Sequence, residues 1–229
     1  MCGYNTFNTN NIRLWSINSL CFLSQLAYGY LLVSRCNSYN MCNDMIYQDF
    51  PTGRFYNEDC FNAMKEIPDG VIDMIITDPP YGMNFKSNHR KEKYNKIKND
   101  DNVDWLPVFS SECFRLAKNN TAHYCFCSFH KIDLFKQSLQ KYFIIKNILV
   151  WEKNNTSMGD LKGDFAPKHE LIIFFQKGRK EINGSRDPNI FKFNKTGNKL
   201  HTTQKPLDMF EYLIKKFSNE NDIIFDAFA

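Results

Sequence analysis

At 229 residues the chain is long enough for one sizeable domain. Its 43% hydrophobic and 15% aromatic content excludes a disordered chain, and its net charge of +4 permits an acidic partner such as nucleic acid without demanding one. The eight cysteines include no CxxC pair and have little histidine around them, so a zinc module is not expected and no metal is assigned; buried free thiols in a reducing interior are.

The first segment with a pattern is 14–33, LWSINSLCFLSQLAYGYLLV, uncharged between Arg13 and Arg35 and long enough to cross a bilayer. Ser16, Asn18, Ser19, Ser24 and Gln25 interrupt it, and no small-residue cleavage site is obvious, so a membrane anchor is not the expectation. Residues 1–44 are set apart as an N-terminal extension of open status, with regular globular character starting near Met45 and one domain over 45–229.

In RFYNEDCFNAMKEIPDG (54–70) a short strand precedes an acid that can cap a helix. Phe61, Met64 and Ile67 then recur at helical spacing until Pro68 and Gly70 end it. VIDMIIT (71–77) is nearly all apolar and rich in β-branched residues, as in a strand buried on both faces. After a polar, basic stretch at 84–104, WLPVFSSECFRLAK reads as a helix with Pro107 in its first turn. NTAHYCFCSF (120–129) reads as a strand, KIDLFKQSLQKY as a helix and NILVWEK (147–153) as a strand. A Gly-containing loop, the strand HELIIFFQK (169–177) and a basic, turn-rich insertion at about 178–200 come next. KPLDMFEYLIKKFS is an amphipathic helix opened by Pro206, and NDIIFDAFA a final buried strand. Alternating strands and helices predict an α/β fold with a mainly parallel sheet.

TDPPYGM (77–83) then falls at the carboxyl end of a strand, where open α/β sheets bind ligands. Pro79 fixes its own φ and holds Asp78 extended, and Pro80 does the same for Pro79, leaving a stiff edge with carbonyls free of secondary-structure partners. A carboxylate beside a free carbonyl can accept both hydrogens of an exocyclic amine, and Tyr81 offers a face for a planar ring. A proline-rich turn after a strand is the plainer alternative.

The segment NEDCFNAMKEIPDGVIDMIITDPPYGM resembles the opening of amino-directed DNA methyltransferases, the adenine type in particular. VWEKNN, KGDFAPKHELIIFF, HTTQKP and NDIIFDAFA follow in the order of the beta-class arrangement, in which the catalytic half precedes the cofactor half. The resemblance covers roughly residues 54–229. It implies a Rossmann-like class I methyltransferase sheet that binds S-adenosylmethionine and acts on double-stranded DNA, flipping the target base into a pocket. Asp78 and a carbonyl of Pro79–Pro80 would hold the amine, and Tyr81 would stack on the base. Asp59, Gln204, Lys205, Asp226 and Phe228 match positions near the cofactor, with Lys205 suited to its carboxylate. Asp59 as a helix N-cap and Pro206 as a helix start are the plain structural readings. Thr202 and Ala227 stand where proline is usual, and the chain stops at Ala229 before the glycine turn that resemblance places next. The expectation is therefore a sheet incomplete at the C-terminus, with very weak or no activity in this chain alone; a truncated remnant that only binds DNA is the alternative.

DNA contact is assigned to the basic loop 84–98, with Lys86, Arg90, Lys91 and Lys93, and to Arg179, Lys180 and Arg186 in the insertion at about 178–200, where this class carries its target-recognition region. Solvated charge runs are the competing reading. Cytosine-N4 methylation is the rival chemistry, disfavoured because such relatives tend to have serine at the position of Asp78. A cytoplasmic, bacterial or phage-type setting follows from the resemblance; oligomeric state stays open, with a dimer among the options.

Overall fold

The computed structural model describes residues 13–17, 47–50, 53–56, 58–83, 100–156, 161–196 and 204–228, the first two segments as backbone. Among the described residues nine strands form one sheet: β1 (Arg13–Ile17), β2 (Tyr47–Phe50), β3 (Gly53–Tyr56), β4 (Met74–Thr77), β5 (Thr121–Cys127), β6 (Ile144–Glu152), β7 (His169–Lys177), β8 (Ile190–Lys192) and β9 (Ile223–Asp226). Their spatial order is β2-β3-β1-β9-β4-β5-β7-β6-β8. Strands β3, β1, β9, β4 and β5 run parallel, so their carboxyl ends share one edge of the sheet. Strand β7 is antiparallel to both β5 and β6. That reversal follows from the connection between β6 and β7, where no crossover helix is described and the chain can turn straight back.

Strand β1 lies inside the sheet, between β3 and β9, so regular structure begins before Met45 and part of the N-terminal stretch is a sheet member. It occupies the first residues of the segment weighed as a membrane span. No described helix is long and apolar enough to cross a membrane.

Alternation along the central strands splits the core between two faces. Ile75, Cys125 and Cys127 pack under α1 (Cys60–Glu66), α2 (Leu106–Leu116) and α3 (Ile132–Leu139), with Met64, Phe109 and Phe135 buried among them. Met74, Ile76, Tyr124, Phe126 and Ile224 face α4 (Leu207–Phe217) through Met209, Phe210 and Leu213. The sheet therefore separates two helical layers, and strands buried on both sides read as continuous apolar runs.

Local signals explain the helix ends. Asp59 caps α1 by accepting from the Phe61 amide at 2.9 Å. At the other end, Arg115 of α2 donates to the carbonyls of Met64 (2.7 Å) and Ile67 (2.9 Å) while pairing with Glu112 and Asp69. A residue of the next helix thus supplies partners for orphan C-terminal carbonyls.

His123 is buried in the middle of β5. Its Nδ1 accepts from the Ile75 amide at 3.0 Å, so Nε2 carries the proton and faces Thr121 Oγ1 at 3.0 Å; that hydroxyl in turn donates to the Lys118 carbonyl. Burial, helped by Lys177, pushes the imidazole down to about 3. The ring is a neutral crosslink between strands.

Candidate active site

Thr77 ends β4 fully buried, and the chain leaves the sheet through Asp78, Pro79, Pro80 and Tyr81 at the shared carboxyl edge. The turn after Tyr81 needs Gly82: its φ is +68°, and a Cβ there would meet Val103 Cγ1 at 2.9 Å and the Asn102 carbonyl at 3.1 Å. Gly82→Ala is therefore expected to shift the turn and cost stability by more than about 1 kcal/mol, read as a lower midpoint in urea; an unchanged midpoint would show that Asn102 and Val103 yield freely.

Asp78 sits at the centre of a chain of charges. Its Oδ1 accepts from the Tyr81 hydroxyl and its Oδ2 from Lys205 Nζ, both at 2.5 Å. Lys205 is 5% exposed, and its Nζ lies 3.3 Å from Glu170 Oε2 without the alignment of a hydrogen bond. Glu170 Oε1 pairs with Lys153 at 2.7 Å. Burial works against the Lys205 charge, but Asp78 and Glu170 outweigh it and raise its pKa. Burial likewise opposes the charge on Glu170, and Lys205 and Lys153 outweigh it and lower its pKa. Burial raises the Tyr81 phenol well above its ordinary value, with Asp78 adding, so Tyr81 donates as a neutral hydroxyl. Two lysines and two carboxylates thus balance in a small volume.

One wall of an adjoining pocket of about 230 Å³ is Tyr81; Cys127, Phe129, His130, Pro167 and Glu170 form much of the rest. That is somewhat below the ~300–1,000 Å³ of ordinary small-molecule pockets, a size suited to one flat ring. Asp78 uses two acceptor positions, and an ionised carboxylate offers about four, so an amine entering past Tyr81 can still be accepted there.

Strand β9, the neighbour of β4, places Asp226 beside this site: its Oδ1 accepts from the Thr77 hydroxyl and the Phe228 amide, each at 2.9 Å. Its Oδ2 is buried and has no hydrogen-bond partner among the described residues. Burial pushes this carboxyl up to about 7; the Phe228 and Thr77 hydrogen bonds work the other way, and Asp78 adds to the rise. An orphaned carboxylate oxygen at a strand end is the kind of acceptor a ligand ammonium or hydroxyl would complete. The Phe228 ring packs on Trp105 and Phe109, with centroids 5.3 and 5.4 Å away.

Asp226 and His123 have opposite effects on acid stability. Unfolded Asp and His titrate near ~3.9 and ~6.5. Between those values the folded chain holds a proton on Asp226 and none on His123, and the unfolded chain does the reverse, so the two groups cancel. Asp226→Asn removes one side, leaving only His123, whose contribution is full above about 6.5 and is lost as pH falls. Relative to the native chain, the variant should lose stability by ~1.4 kcal/mol per pH unit from about 6.5 toward 4, measured by urea unfolding across that range. Parallel curves would show that Asp226 is ionised in the fold.

The structure brings together Asp78, Pro79, Pro80, Tyr81, Lys205 and Asp226, with Gln204 next to Lys205 and Phe228 next to Asp226. Lys205, matched to a cofactor carboxylate, pairs with Asp78 and lies near Glu170. Asp59 is on the same edge beyond β3, three strand spacings or roughly 14 Å from β4, and is occupied as a cap. Lys86, Arg90, Lys91 and Lys93 lie outside the described residues.

Arg179, Lys180 and Arg186 are placed away from Asp78. Strand β7 carries the chain to the opposite edge, where Arg179 N donates to Asn120 Oδ1 just before β5, and Asn183 bonds to Lys216 at the end of α4. The later part of the insertion returns along β8, so Lys192 reaches Glu152 and Lys195 N reaches Asn154 on the Asp78 side. A surface built around Asp78 therefore draws on Lys192 and Lys195 rather than on those three. Sequence reasoning missed Glu170, Lys153 and the pocket wall at Phe129 and His130. A charged residue at the head of the apolar run LIIFF was the available signal for Glu170.

The DNA methylase family profile of N6/N4 type matches residues 72–229, more than half the chain. The chain is 29% identical over 177 residues to "Putative methylase YubD" of Escherichia coli (strain K12), covering 77% of this chain and 75% of the relative. It is 26% identical over 218 residues to "DNA adenine methyltransferase YhdJ" of the same strain, covering 77% and 73%. Among solved structures, the M1.HpyAVI–SAM complex is similar at 24% identity with a TM-score of 0.56, over 76% of this chain and 80% of that one. The PvuII DNA methyltransferase (cytosine-N4-specific) is similar at 15% identity with a TM-score of 0.59, over 75% and 72%. At these identities the structural likenesses establish the fold, a methyltransferase-type α/β sheet. The family profile goes further: the chain belongs to the N6/N4 DNA methylases.

Proposed function

We propose that this chain transfers a methyl group from S-adenosylmethionine to the exocyclic N6 amine of adenine in double-stranded DNA, with the target base turned out of the helix. The observation that carries this reading is the Asp78 carboxylate, fixed at the end of β4 between the Tyr81 hydroxyl and Lys205 and beside a pocket sized for one flat ring. An aspartate there is the adenine-type form of the resemblance, and a relative of the adenine class supports it.

S-adenosylmethionine, when bound, would supply an activated sulfonium methyl and leave as a neutral thioether, so this chain's residues position and polarise the amine, whose surplus proton is released to solvent after transfer. Asp78 accepts the amine's hydrogens together with the Pro79–Pro80 carbonyls and aligns the nitrogen lone pair. Tyr81 presents its ring to the base while its hydroxyl steadies Asp78. Lys205 donates to Asp78 and fixes its orientation, and Glu170 with Lys153 holds that lysine in place. Asp226, through its unpartnered Oδ2, and the adjoining Phe228 backbone are suited to the cofactor's amino-acid and ribose portions. Lys192 and Lys195 line the same edge for phosphate contact.

Incubation of the purified protein with methyl-tritiated S-adenosylmethionine and unmethylated duplex DNA, followed by nucleoside analysis, tests this directly. Label in N6-methyladenine is expected, in contrast to the very weak or absent transfer expected from the sequence, because Asp78, Tyr81, Lys205 and Asp226 are assembled at one edge of the sheet. Label in N4-methylcytosine would overturn the choice of base, and label in neither would overturn the assigned activity.

A further inference from the structure

The segment that leads into the Tyr81 pocket carries two exposed apolar side chains, Leu161 and Phe165, that do not line the pocket. Phe165 is 94% exposed and Leu161 76%, both in the segment 161–168 that enters β7, and Pro167 of that segment lines the pocket with Tyr81. On the facing wall Phe129 is 51% exposed, its ring centroid 3.7 Å from that of His130. The segment LKGDFAPK carries Lys162 and Lys168 against Asp164, a small net positive charge. Large apolar side chains this exposed, on a segment whose Pro167 two residues past Phe165 lines the pocket, mark a contact surface.

A nucleotide leaving a duplex to reach Tyr81 leaves a gap in the base stack, and proteins that open DNA commonly fill such gaps with an apolar side chain. We infer that Phe165 is a wedge that enters the base step vacated by the target nucleotide, with Leu161 beside it. This rests on the reading of duplex DNA as substrate. It assigns to this loop a task distinct from methyl transfer: stabilising the opened duplex.

The test compares binding of the full chain to two short labelled duplexes of identical sequence, one intact and one with a single central abasic site, by fluorescence anisotropy. The native chain should bind the abasic duplex on the order of tenfold more tightly, since the gap receives Phe165 without unstacking cost. Phe165→Ala should bring that preference within about twofold while holding intact-duplex affinity, which rests on phosphate contacts. Phe165→Trp should restore the preference and show emission quenched by the abasic duplex. Because Phe165 is so exposed, both variants should melt with the native protein. The inference is overturned if Phe165→Ala keeps the preference, weakens both duplexes equally, or instead converts a dimer to a monomer in sedimentation. A native chain that binds DNA without preference would also overturn it. Failure to bind either duplex would overturn the DNA reading beneath it.

Discussion

Asp78→Asn is expected to lower methyl transfer by about 10²–10⁴-fold, the range for losing a positioned acceptor or electrostatic partner, while affinity for duplex DNA should change little. The side chain keeps its shape, but it loses its negative charge and turns one acceptor oxygen into a donor group. Because Asp78 faces both the Tyr81 hydroxyl and Lys205 Nζ, an amide there must aim its NH₂ at one of two donors or rotate away. The approaching amine then meets a donor where it needs an acceptor. Single-turnover transfer and anisotropy on the same preparation separate the effects; transfer within about threefold of native, well short of the range for such a loss, would remove Asp78 from the reaction.

Lys205→Met is expected to be the most destabilising single change in the site, at about 3 kcal/mol, the lower end for breaking a buried pair, because it leaves two largely but not fully buried carboxylates without their shared counter-ion. Lys205 is almost fully buried between Asp78 and Glu170, and among the described residues the carboxylate that Lys153 pairs with is Glu170. Without Lys205, burial should let Glu170 take up a proton more readily, so the variant's deficit should shrink as pH falls toward 5. Adding Asp78→Asn to Lys205→Met should recover part of the loss, a coupling that a double-mutant cycle in urea measures. Additive losses would show that the pair is solvated and only weakly coupled.

Much of this was legible in the sequence, for identifiable reasons. VIDMIIT placed Asp78 at a strand end because its apolar run fits a strand covered on both faces, and Met74–Thr77 is buried throughout. Pro206 and the spacing of Met209, Phe210, Leu213 and Ile214 marked the helix whose start carries Lys205. Asp59 was open to two compatible readings, and the helix cap is visible in its bond from the Phe61 amide. What periodicity does not encode is strand direction. HELIIFFQK reads identically in either sense, yet its reversal sends Arg179 to one edge and Glu170 to the other. Partners far apart in sequence were equally hidden: the ion pair from Lys205 to Asp78 spans 127 residues, and no local pattern announces it. The N-terminal strand escaped notice because RLWSI is short and lies in a stretch that reads as mixed apolar and polar.

The reversed strand β7 also has a practical use. Nine residues of extended chain separate its two ends by about 27 Å, so whatever is attached to the far turn is held off from the Asp78 edge. Gly184, at φ +71° with open space around its Cα, lies in that turn region. A fluorophore or affinity tag inserted there would report on the protein while leaving the reacting end of the sheet undisturbed, giving an anchoring point for single-molecule observation of the protein on DNA.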